Sequence, residues 1–210
     1  MTGPTVVDAA APGALDAAAA RIASGGVVAL PTDTVYGLAV DPTVPGAVEL
    51  VFELKERPSD RPVAVLVSRL SQARGLVHFD DDARLLADWF WPGALTLVLA
   101  RRPGLDLDLG DDQVTIGVRL PDHAVPRSLA ARVGPLAVSS ANRHGRPTPA
   151  TADGVAREFA AADVMVLDGG PCPGRASTVA RLVGGEVEVL REGALPGDQL
   201  RVALATRYGR

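Results

Sequence analysis

The chain has 210 residues, of which 47% are hydrophobic and 22% are charged, a composition typical of a globular protein with a sizeable core. Its formal net charge of −4 argues against a large basic face for nucleic acid, and its single cysteine, Cys172, excludes an internal disulfide. Met1 to Asp8 lacks the basic and apolar segments of a signal peptide, and no apolar run reaches membrane-spanning length. We therefore expect a soluble, cytoplasmic protein that makes no membrane contact.

Apolar runs alternate with helical patterns along the chain, and we predict an α/β fold because strands that are apolar throughout are usually covered by helices. The predicted helices cover 14–23, 47–56, 80–89, 124–132, 153–161 and 198–206. The predicted strands cover 27–30, 63–67, 95–99, 114–120, 136–139, 164–167, 177–182 and 187–190. Neither a repeat nor a domain linker interrupts the pattern. The prediction is one domain over 1–210, with its core at about 14–194.

Motifs for phosphate loops and protein-held metals are missing. Neither GxxxxGK[ST] nor GxGxxG occurs after a predicted strand. The acidic segment 106–112 resembles a calcium loop, but Gly117 stands where the bidentate glutamate should fall. The histidines His78, His123 and His144 lack the spacing of metal ligands. We predict no metal site built from protein ligands.

Lys55 is the only lysine among 21 basic residues, and it lies at the end of a predicted helix. A cation is favourable at a helix C-terminus without any ligand. A lysine also offers a compact charge that meets a phosphate at one point. Because Pro58 biases Arg57 away from helical backbone, Lys55, Arg57 and Arg61 could together reach one polyphosphate. Both interpretations remain open at this point.

The polar turn PTDTVYGL, at 31–38, follows the predicted strand at 27–30. Its hydroxyls, Thr34 among them, lie beyond the carboxyl end of a strand, where α/β sheets usually bind ligands. A turn in which threonine and aspartate cap their own backbone explains the same residues.

A second polar turn, SSAN at 139–142, follows the predicted strand at 136–139. In extended backbone Ser140 and Asn142 would share a face and offer a hydroxyl and an amide to a nucleotide or an amino acid. An asparagine turn completed by Gly145 is the alternative.

Four further polar residues lie on or beside predicted strands. Thr115 and Arg119, four residues apart, share one strand face, Ser177 opens a strand, and Arg191 follows one. Each of them alone is unremarkable, and two arginines at strand ends would usually be surface charges.

Taken in chain order, these segments resemble the YrdC family, the threonylcarbamoyl-AMP synthases. The resemblance covers about 25–194 and rests on the motifs GGVVALPTDTVYGL, KERPSDRP, WPGALTLVL, VTIGVRLPDH, SSAN, and STV followed by VLREGA. It implies an α/β fold in which a twisted mixed sheet with flanking helices surrounds a deep, positively charged cleft. Since the chain stops near Arg210, it resembles the short, single-domain form of the family.

The resemblance implies that L-threonine, bicarbonate and ATP give threonylcarbamoyl-adenylate and pyrophosphate, the first step of threonylcarbamoyladenosine formation in tRNA. ATP would be a substrate with Mg²⁺ on its triphosphate, and a tRNA-modifying threonylcarbamoyl transferase complex would be the partner. The residues that match the family's catalytic positions are Lys55, Arg57, Ser140 and Asn142. Those that match its ATP-binding positions are Lys55, Arg57, Arg61, Thr115, Asn142 and Arg191. Those that match its threonine-binding positions are Thr34, Arg119, Ser140 and Ser177, with Arg119 expected to bind the carboxylate bidentately.

Two departures from the family pattern leave alternatives open. Leu66 stands where the family often has a histidine, and His144 stands where serine is usual after SAN. Together with arginines near the expected cleft, at Arg143, Arg146 and Arg175, they allow a catalytically weak paralogue that binds double-stranded RNA or tRNA. A carbamoyl-transfer domain of the hydrogenase-maturation type shares the fold, but it normally lies within a much longer protein. The intact KxR and SxN motifs favour the enzyme.

Overall fold

The computed structural model describes residues 3–56, 62–110 and 113–207, and within these ranges the chain forms seven helices and ten strands. The helices are α1 (Ala14–Ala23), α2 (Ala47–Lys55), α3 (Leu70–Leu76), α4 (Asp81–Phe90), α5 (Ala124–Val133), α6 (Ala152–Glu158) and α7 (Gly197–Arg207). The strands are β1 (Thr5–Asp8), β2 (Val27–Leu30), β3 (Gly37–Val40), β4 (Ala64–Leu66), β5 (Leu95–Ala100), β6 (Thr115–Arg119), β7 (Leu136–Ser140), β8 (Val164–Asp168), β9 (Thr178–Val183) and β10 (Glu186–Arg191). In the described part of the chain, no helix combines the length and the apolar character needed to cross a membrane.

The ten strands form one sheet in the order β1-β8-β2-β3-β7-β4-β6-β5-β9-β10. The β1/β8, β2/β8, β4/β6 and β5/β9 pairs are parallel. The β2/β3, β3/β7, β4/β7, β5/β6 and β9/β10 pairs are antiparallel. The α/β fold with a mixed sheet and flanking helices that the sequence predicts is therefore confirmed.

Every predicted helix and strand is present, with ends that differ by a few residues, but three short elements were not predicted. The strand β3 begins at Gly37 inside a segment that has the composition of a turn. The strand β1 is a largely exposed edge strand, so it lacks the apolar pattern of the others. The helix α3 has only seven residues and contains Gly75, which weakens its helical pattern.

The central strands are buried on both faces, which explains their continuous apolar sequences. In β2, Val27 and Ala29 belong to one hydrophobic cluster, while Val28 and Leu30 belong to another on the opposite face. The first cluster also contains buried residues of α2, α3, α4, α6 and α7. The second contains buried residues of α1 and α5. Helices therefore cover both faces of the sheet at β2.

Beyond α5 the second face changes from core to cavity wall. Leu136 at the start of β7 packs in the cluster under α1 and α5. Val138 and Ser140, which follow on the same side of the strand, line a cavity. The fold thus leaves one part of this sheet face open, over β7, β4, β6, β5 and β9.

Candidate active site

A cavity of about 390 Å³ occupies this open part of the sheet face. Small residues form its floor: Gly37 in β3, Ala64 in β4 and Gly117 in β6. A Cβ atom at Gly37 would lie 2.5 Å from Val138 Cγ1, and one at Gly117 would lie 3.3 Å from Thr96 Cγ2. Larger side chains at these two positions would fill the space, so the glycines give the cavity its depth.

The polar lining of the cavity is rich in hydrogen-bond donors. Its charged side chains are Arg119, Arg181 and Arg191, and no aspartate or glutamate among the described residues lines it. Its hydroxyl groups come from Thr32, Thr34, Thr96, Thr115, Ser139, Ser140 and Ser177. Guanidinium groups donate only, and they bind carboxylates and phosphates strongly. The lining therefore suits a ligand that carries anionic oxygens.

Arg119, at the end of β6, is almost fully buried and has three polar partners. Its Nε donates to the carbonyl of Gly93 at 2.9 Å, its Nη1 to Thr34 Oγ1 at 2.8 Å, and its Nη2 to Asp33 Oδ1 at 2.6 Å. Burial lowers the pKa of Arg119, and the charge of Asp33 partly opposes that effect. These described contacts use three of the five N–H groups and fix the plane of the guanidinium.

The PTDTVYGL turn caps its own backbone and also lines the cavity. Thr32 Oγ1 accepts the backbone N–H groups of Thr34 and Val35, each at 3.1 Å, so Thr32 caps the turn locally. The turn thereby directs the Thr34 hydroxyl and the Asp33 carboxylate to Arg119.

Gly93 in the WPGAL segment supplies the third partner of Arg119. Its own N–H donates to the carbonyl of Leu120 at 2.9 Å. A Cβ atom here would lie 2.6 Å from the carbonyl oxygen of Phe90, so only glycine fits this close approach.

Ser177, immediately before β9, contacts two polar side chains, those of Thr96 and Arg191. Its Oγ is 2.9 Å from Thr96 Oγ1, and Arg191 Nη2 donates to it at 3.2 Å and to the carbonyl of Ser177 at 2.9 Å. Burial, together with the positive charge of Arg119, lowers the pKa of Arg191. Both guanidinium groups line the same cavity, and an anionic ligand there would offset their like charges.

The REGA segment packs tightly against Ser177. A Cβ atom at Gly193 would lie 2.3 Å from the carbonyl carbon of Ser177. The N–H of Gly193 donates to Thr178 Oγ1 at 2.9 Å, and the N–H of Ala194 donates to the carbonyl of Ala176 at 2.8 Å. This contact explains why STV and REGA, which are separated in sequence, belong to one site.

Lys55, the last residue of α2, is buried, and its ammonium group binds the loop that follows β7. Nζ donates to the carbonyls of Ser140 and Asn142, the latter at 2.7 Å, and lies 3.4 Å from Ser140 Oγ. The carbonyl of Lys55 accepts the N–H of His144 at 2.8 Å. Lys55 therefore ties the helix to the SSAN turn and lies next to Ser140, although its side chain does not line the cavity.

The sequence predicts that Asn142 shares a strand face with Ser140. The structure differs, because β7 ends at Ser140 and the chain bends at 141–142. Its Nδ2 donates to the carbonyls of Arg143 and Arg146, at 2.9 and 2.7 Å, and its Oδ1 accepts from Thr148 at 2.9 Å. The amide thus stabilises its own loop, as the alternative asparagine-turn interpretation holds, and it does not line the cavity.

The cavity brings most of the predicted site residues together. The predicted residues that line it are Thr34, Thr115, Arg119, Ser140, Ser177 and Arg191. Lys55 and Asn142 lie beside it, while Arg57 and Arg61 fall outside the described residues. The sequence placed the Asp33 carboxylate in the PTDTVYGL turn without giving it a role. Sequence reasoning missed Thr96, although it is the only hydroxyl in the otherwise apolar segment at 95–99.

Leu66 and two of the arginines that suggested an RNA-binding paralogue have local structural roles. Leu66 is buried and lines the cavity with an apolar surface. Arg143 pairs with Glu56, and Arg146 Nη1 lies 3.7 Å from Glu158 Oε2. Because acids accompany these two arginines, they do not form a purely basic patch for RNA.

Comparison with known proteins identifies the family. The Sua5/YciO/YrdC family model, described as telomere recombination, matches residues 20–193. The chain belongs to the Sua5/YciO/YrdC family. A Mycobacterium tuberculosis relative in this family is 40% identical over 189 residues, which are 89% of this chain and 87% of the relative. A Bacillus subtilis relative named threonylcarbamoyl-AMP synthase is 36% identical over 89% of this chain and 55% of its own length. A rat relative of the same name is 35% identical over 93% of this chain and 72% of the relative.

Solved structures of Sua5/YciO/YrdC proteins have the same fold. The crystal structure of Pyrococcus abyssi Sua5 complexed with L-threonine is 32% identical and has a TM-score of 0.84. The similarity covers 100% of this chain and 64% of the Sua5 chain, so Sua5 is considerably longer. Escherichia coli YciO, at 22% identity and a TM-score of 0.78, supports the fold alone.

Proposed function

We propose that this chain is a threonylcarbamoyl-AMP synthase, which converts L-threonine, bicarbonate and ATP to threonylcarbamoyl-adenylate and pyrophosphate. The observation that carries the proposal is the cavity lined by arginines and hydroxyl groups, without an acidic residue among its described lining. The synthase names of the Bacillus subtilis and rat relatives support it, as does the L-threonine complex of Pyrococcus abyssi Sua5.

The reaction needs aligned reactants more than a covalent contribution from the protein. The amine of threonine and bicarbonate form a carbamate with loss of water. A carbamate oxygen then bonds to the α-phosphorus of ATP, the bond from that phosphorus to its bridging oxygen breaks, and pyrophosphate leaves. Positioning and cations near the phosphates accelerate such a step.

Threonine would bind at Thr34, Arg119, Ser140 and Ser177. Three N–H groups of Arg119 are used by described protein contacts, which leaves two for the amino-acid carboxylate. Because Gly93, Thr34 and Asp33 hold the guanidinium in place, little side-chain entropy would be lost when threonine binds.

ATP would bind at Thr115, Asn142 and Arg191, with its phosphates at Lys55, Arg57 and Arg61. Lys55 donates to the carbonyls of Ser140 and Asn142, so it would also position the Ser140 hydroxyl. Asn142 would have to exchange a loop partner to reach the nucleotide. No group of three or more potential metal ligands occurs in the part of the chain that the structure describes. Mg²⁺ would therefore arrive with ATP, held by phosphate oxygens and water.

The product is a mixed anhydride that reacts readily with nucleophiles, so it requires a nearby acceptor system. A tRNA-modifying threonylcarbamoyl transferase complex would consume it and attach the threonylcarbamoyl group to an adenosine in tRNA.

Pyrophosphate release from ATP, with L-threonine and bicarbonate each present or withheld, tests the proposal. Release that requires both substrates is the expected result. Release that ignores threonine would indicate a different amino acid or acid as the substrate. Absence of release while ATP still binds would favour the paralogue that binds double-stranded RNA or tRNA.

A further inference from the structure

Arg143 lies where three parts of the fold meet: the end of α2, the loop that follows β7 and the end of α6. Its backbone N–H donates to Glu158 Oε1 at 3.0 Å, and its Nε donates to the carbonyl of Glu158 at 3.4 Å. Its Nη1 donates to Glu56 Oε1. Its carbonyl accepts the side-chain amide of Asn142 at 2.9 Å. The direction of each contact is fixed, because N–H groups only donate and carboxylate and carbonyl oxygens only accept.

The backbone at the end of α2 is strained at the point where Arg143 binds it. Glu56 has φ 52° and ψ 42°, in the left-handed region that is unfavourable for a residue with a side chain. Such a conformation persists where neighbouring contacts hold it. Two contacts join this turn to the loop after β7: the Glu56–Arg143 pair, and the N–H of His144, which donates to the carbonyl of Lys55 at 2.8 Å.

The same junction holds Lys55 and Asn142, two of the residues at which ATP would bind. Lys55 Nζ donates to the carbonyl of Asn142 at 2.7 Å. The amide of Asn142 donates to the carbonyls of Arg143 and Arg146. Glu158 contacts these same two arginines, through the backbone N–H of Arg143 and at 3.7 Å from Arg146 Nη1. Arg143 therefore orders the loop that holds Asn142 and ties it to the helix that carries Lys55.

Two residues expected to bind threonine are held by other parts of the fold. Arg119 Nη2 donates to Asp33 Oδ1 at 2.6 Å. Ser140 lies in β7, where it pairs with Gly37 of β3. The contacts of Arg143 described above involve neither the Asp33 turn nor β3. A change at Arg143 should therefore affect ATP more than threonine.

We infer that Arg143 is a positioning residue for the nucleotide half of the proposed reaction. Through Glu56 and Glu158 it holds the end of α2 against the loop after β7. Lys55 and Asn142, which belong to these two elements, thereby keep one arrangement. The inference deepens the proposed function and rests on it for the identity of the nucleotide. It differs from a direct contact between Arg143 and a phosphate or an RNA, because it requires the acidic partners.

Calorimetry with ATP and with L-threonine tests the inference on the wild type, Glu56→Gln, Arg143→Met and the double variant. Because the Glu56–Arg143 pair is partly exposed, each single variant should bind ATP about twofold to fivefold more weakly. The affinity for threonine should change by less than about twofold. The double variant should bind ATP no more weakly than Arg143→Met, because both changes remove one shared interaction.

Arg146→Met is the matched control, because it removes the same charge from the same loop. Its guanidinium lies 3.7 Å from Glu158 and its side chain is 65% exposed, so the affinity for ATP should stay within about twofold of the wild type. An equal loss in Arg146→Met would indicate a general effect of charge and would overturn the inference. Glu56→Gln with unchanged or tighter ATP binding, or equal losses for ATP and threonine, would overturn it as well.

Pyrophosphate release separates this inference from the proposed function. A wild type that binds ATP but releases no pyrophosphate with threonine and bicarbonate would overturn only the proposed function. Hydrogen exchange of the His144 amide, which joins the loop to the end of α2, tests the junction without any ligand. Exchange should be faster in Glu56→Gln and Arg143→Met than in Arg146→Met. Equal exchange in all three variants, or a wild type that binds no ATP, would overturn the inference.

Discussion

Arg119 Nη2 lies 2.6 Å from Asp33 Oδ1, and both side chains are largely buried, with 6% and 16% of their surfaces exposed. We expect Asp33→Asn to lower the free energy of unfolding by about 2 kcal/mol, because a buried guanidinium loses its acidic partner while keeping an oxygen acceptor. Urea unfolding measures the change. Asp16→Asn is the matched control, since the Arg132–Asp16 pair is largely exposed and should contribute little. Equal losses in the two variants would contradict this account.

We expect Arg119 to bind threonine and Arg191 to bind ATP. Arg119→Lys should weaken threonine binding about tenfold or more, because a lysine cannot reproduce the fixed fork of the guanidinium. Arg191→Lys should instead weaken ATP binding more strongly. Calorimetry with each ligand separates the two effects, and the opposite pattern would mean that the two pockets are exchanged.

Lys55 is expected to affect stability as well as activity. The sequence alone allows a lysine that is favourable at a helix end without any ligand, but the structure shows its ammonium group bound to the carbonyls of Ser140 and Asn142. Lys55→Met should lower the free energy of unfolding by about 1–3 kcal/mol, because both carbonyls lose their ammonium donor, although the Ser140 carbonyl still accepts the N–H of Asn142. It should also lower pyrophosphate release.

The control for this variant is Arg84→Met, which removes an exposed cation from a weak pair with Asp88. It should change neither stability nor activity appreciably. A Lys55→Met protein with wild-type stability in urea would show that the two carbonyl contacts contribute nothing.

Gly193→Ala should damage the cavity. The new Cβ atom would lie 2.3 Å from the carbonyl carbon of Ser177. The segment that follows β10 and the segment around Ser177 must therefore move apart. We expect a loss of about 3 kcal/mol in stability, as for overpacked cores, together with weaker threonine binding. Gly75→Ala is the control, because a Cβ atom there meets nothing within 4 Å and alanine favours the helix. Similar unfolding curves for both variants would refute the prediction.

We expect the ionisation of Tyr36 to lower the free energy of unfolding at alkaline pH. Burial, with a further contribution from Asp168, raises the pKa of Tyr36 to about 12, and its hydroxyl donates to the carbonyl of Gly170 at 2.8 Å. Between pH 10 and this pKa the unfolded chain loses the proton that the folded protein retains, so stability falls as the pH rises. Below pH 10 the contribution of the phenol is fully present.

The comparison of wild type with Tyr36→Phe isolates this effect. At about pH 8 the variant should be less stable by about 1 kcal/mol, because the Gly170 carbonyl loses its donor. At about pH 11 that difference should shrink by about 1 kcal/mol, since only the wild type carries the titrating phenol. A difference that stays constant with pH in urea unfolding would be inconsistent with the raised pKa.

The sequence predicts the sheet and several cavity residues for clear physical reasons. Val27–Leu30 is apolar throughout, which is typical of a strand buried on both faces. Thr115 and Arg119 are four residues apart in a strand, so they share the cavity face. These features depend on local periodicity, which a single sequence contains.

The remaining features of the site depend on contacts between distant parts of the chain. Neither the hydrogen bond from Arg119 to Asp33 nor the one between Thr96 and Ser177 follows from spacing, because their partners are 86 and 81 positions apart. The end of β7 at Ser140 also could not be predicted, since extended backbone and an asparagine turn suit the same four residues.

The assembly of the cavity from distant strands links ligand binding to cooperative unfolding. Gly37 in β3 and Arg191 at the end of β10 line the same space, with Ala64 and Gly117 between them in the sheet. The described lining residues are spread from Thr32 to Arg191, so the cavity is complete only when distant strands are paired. A substrate therefore stabilises the whole sheet by RT ln(1 + [L]/Kd), and saturating ligand should slow hydrogen exchange in strands that it never touches.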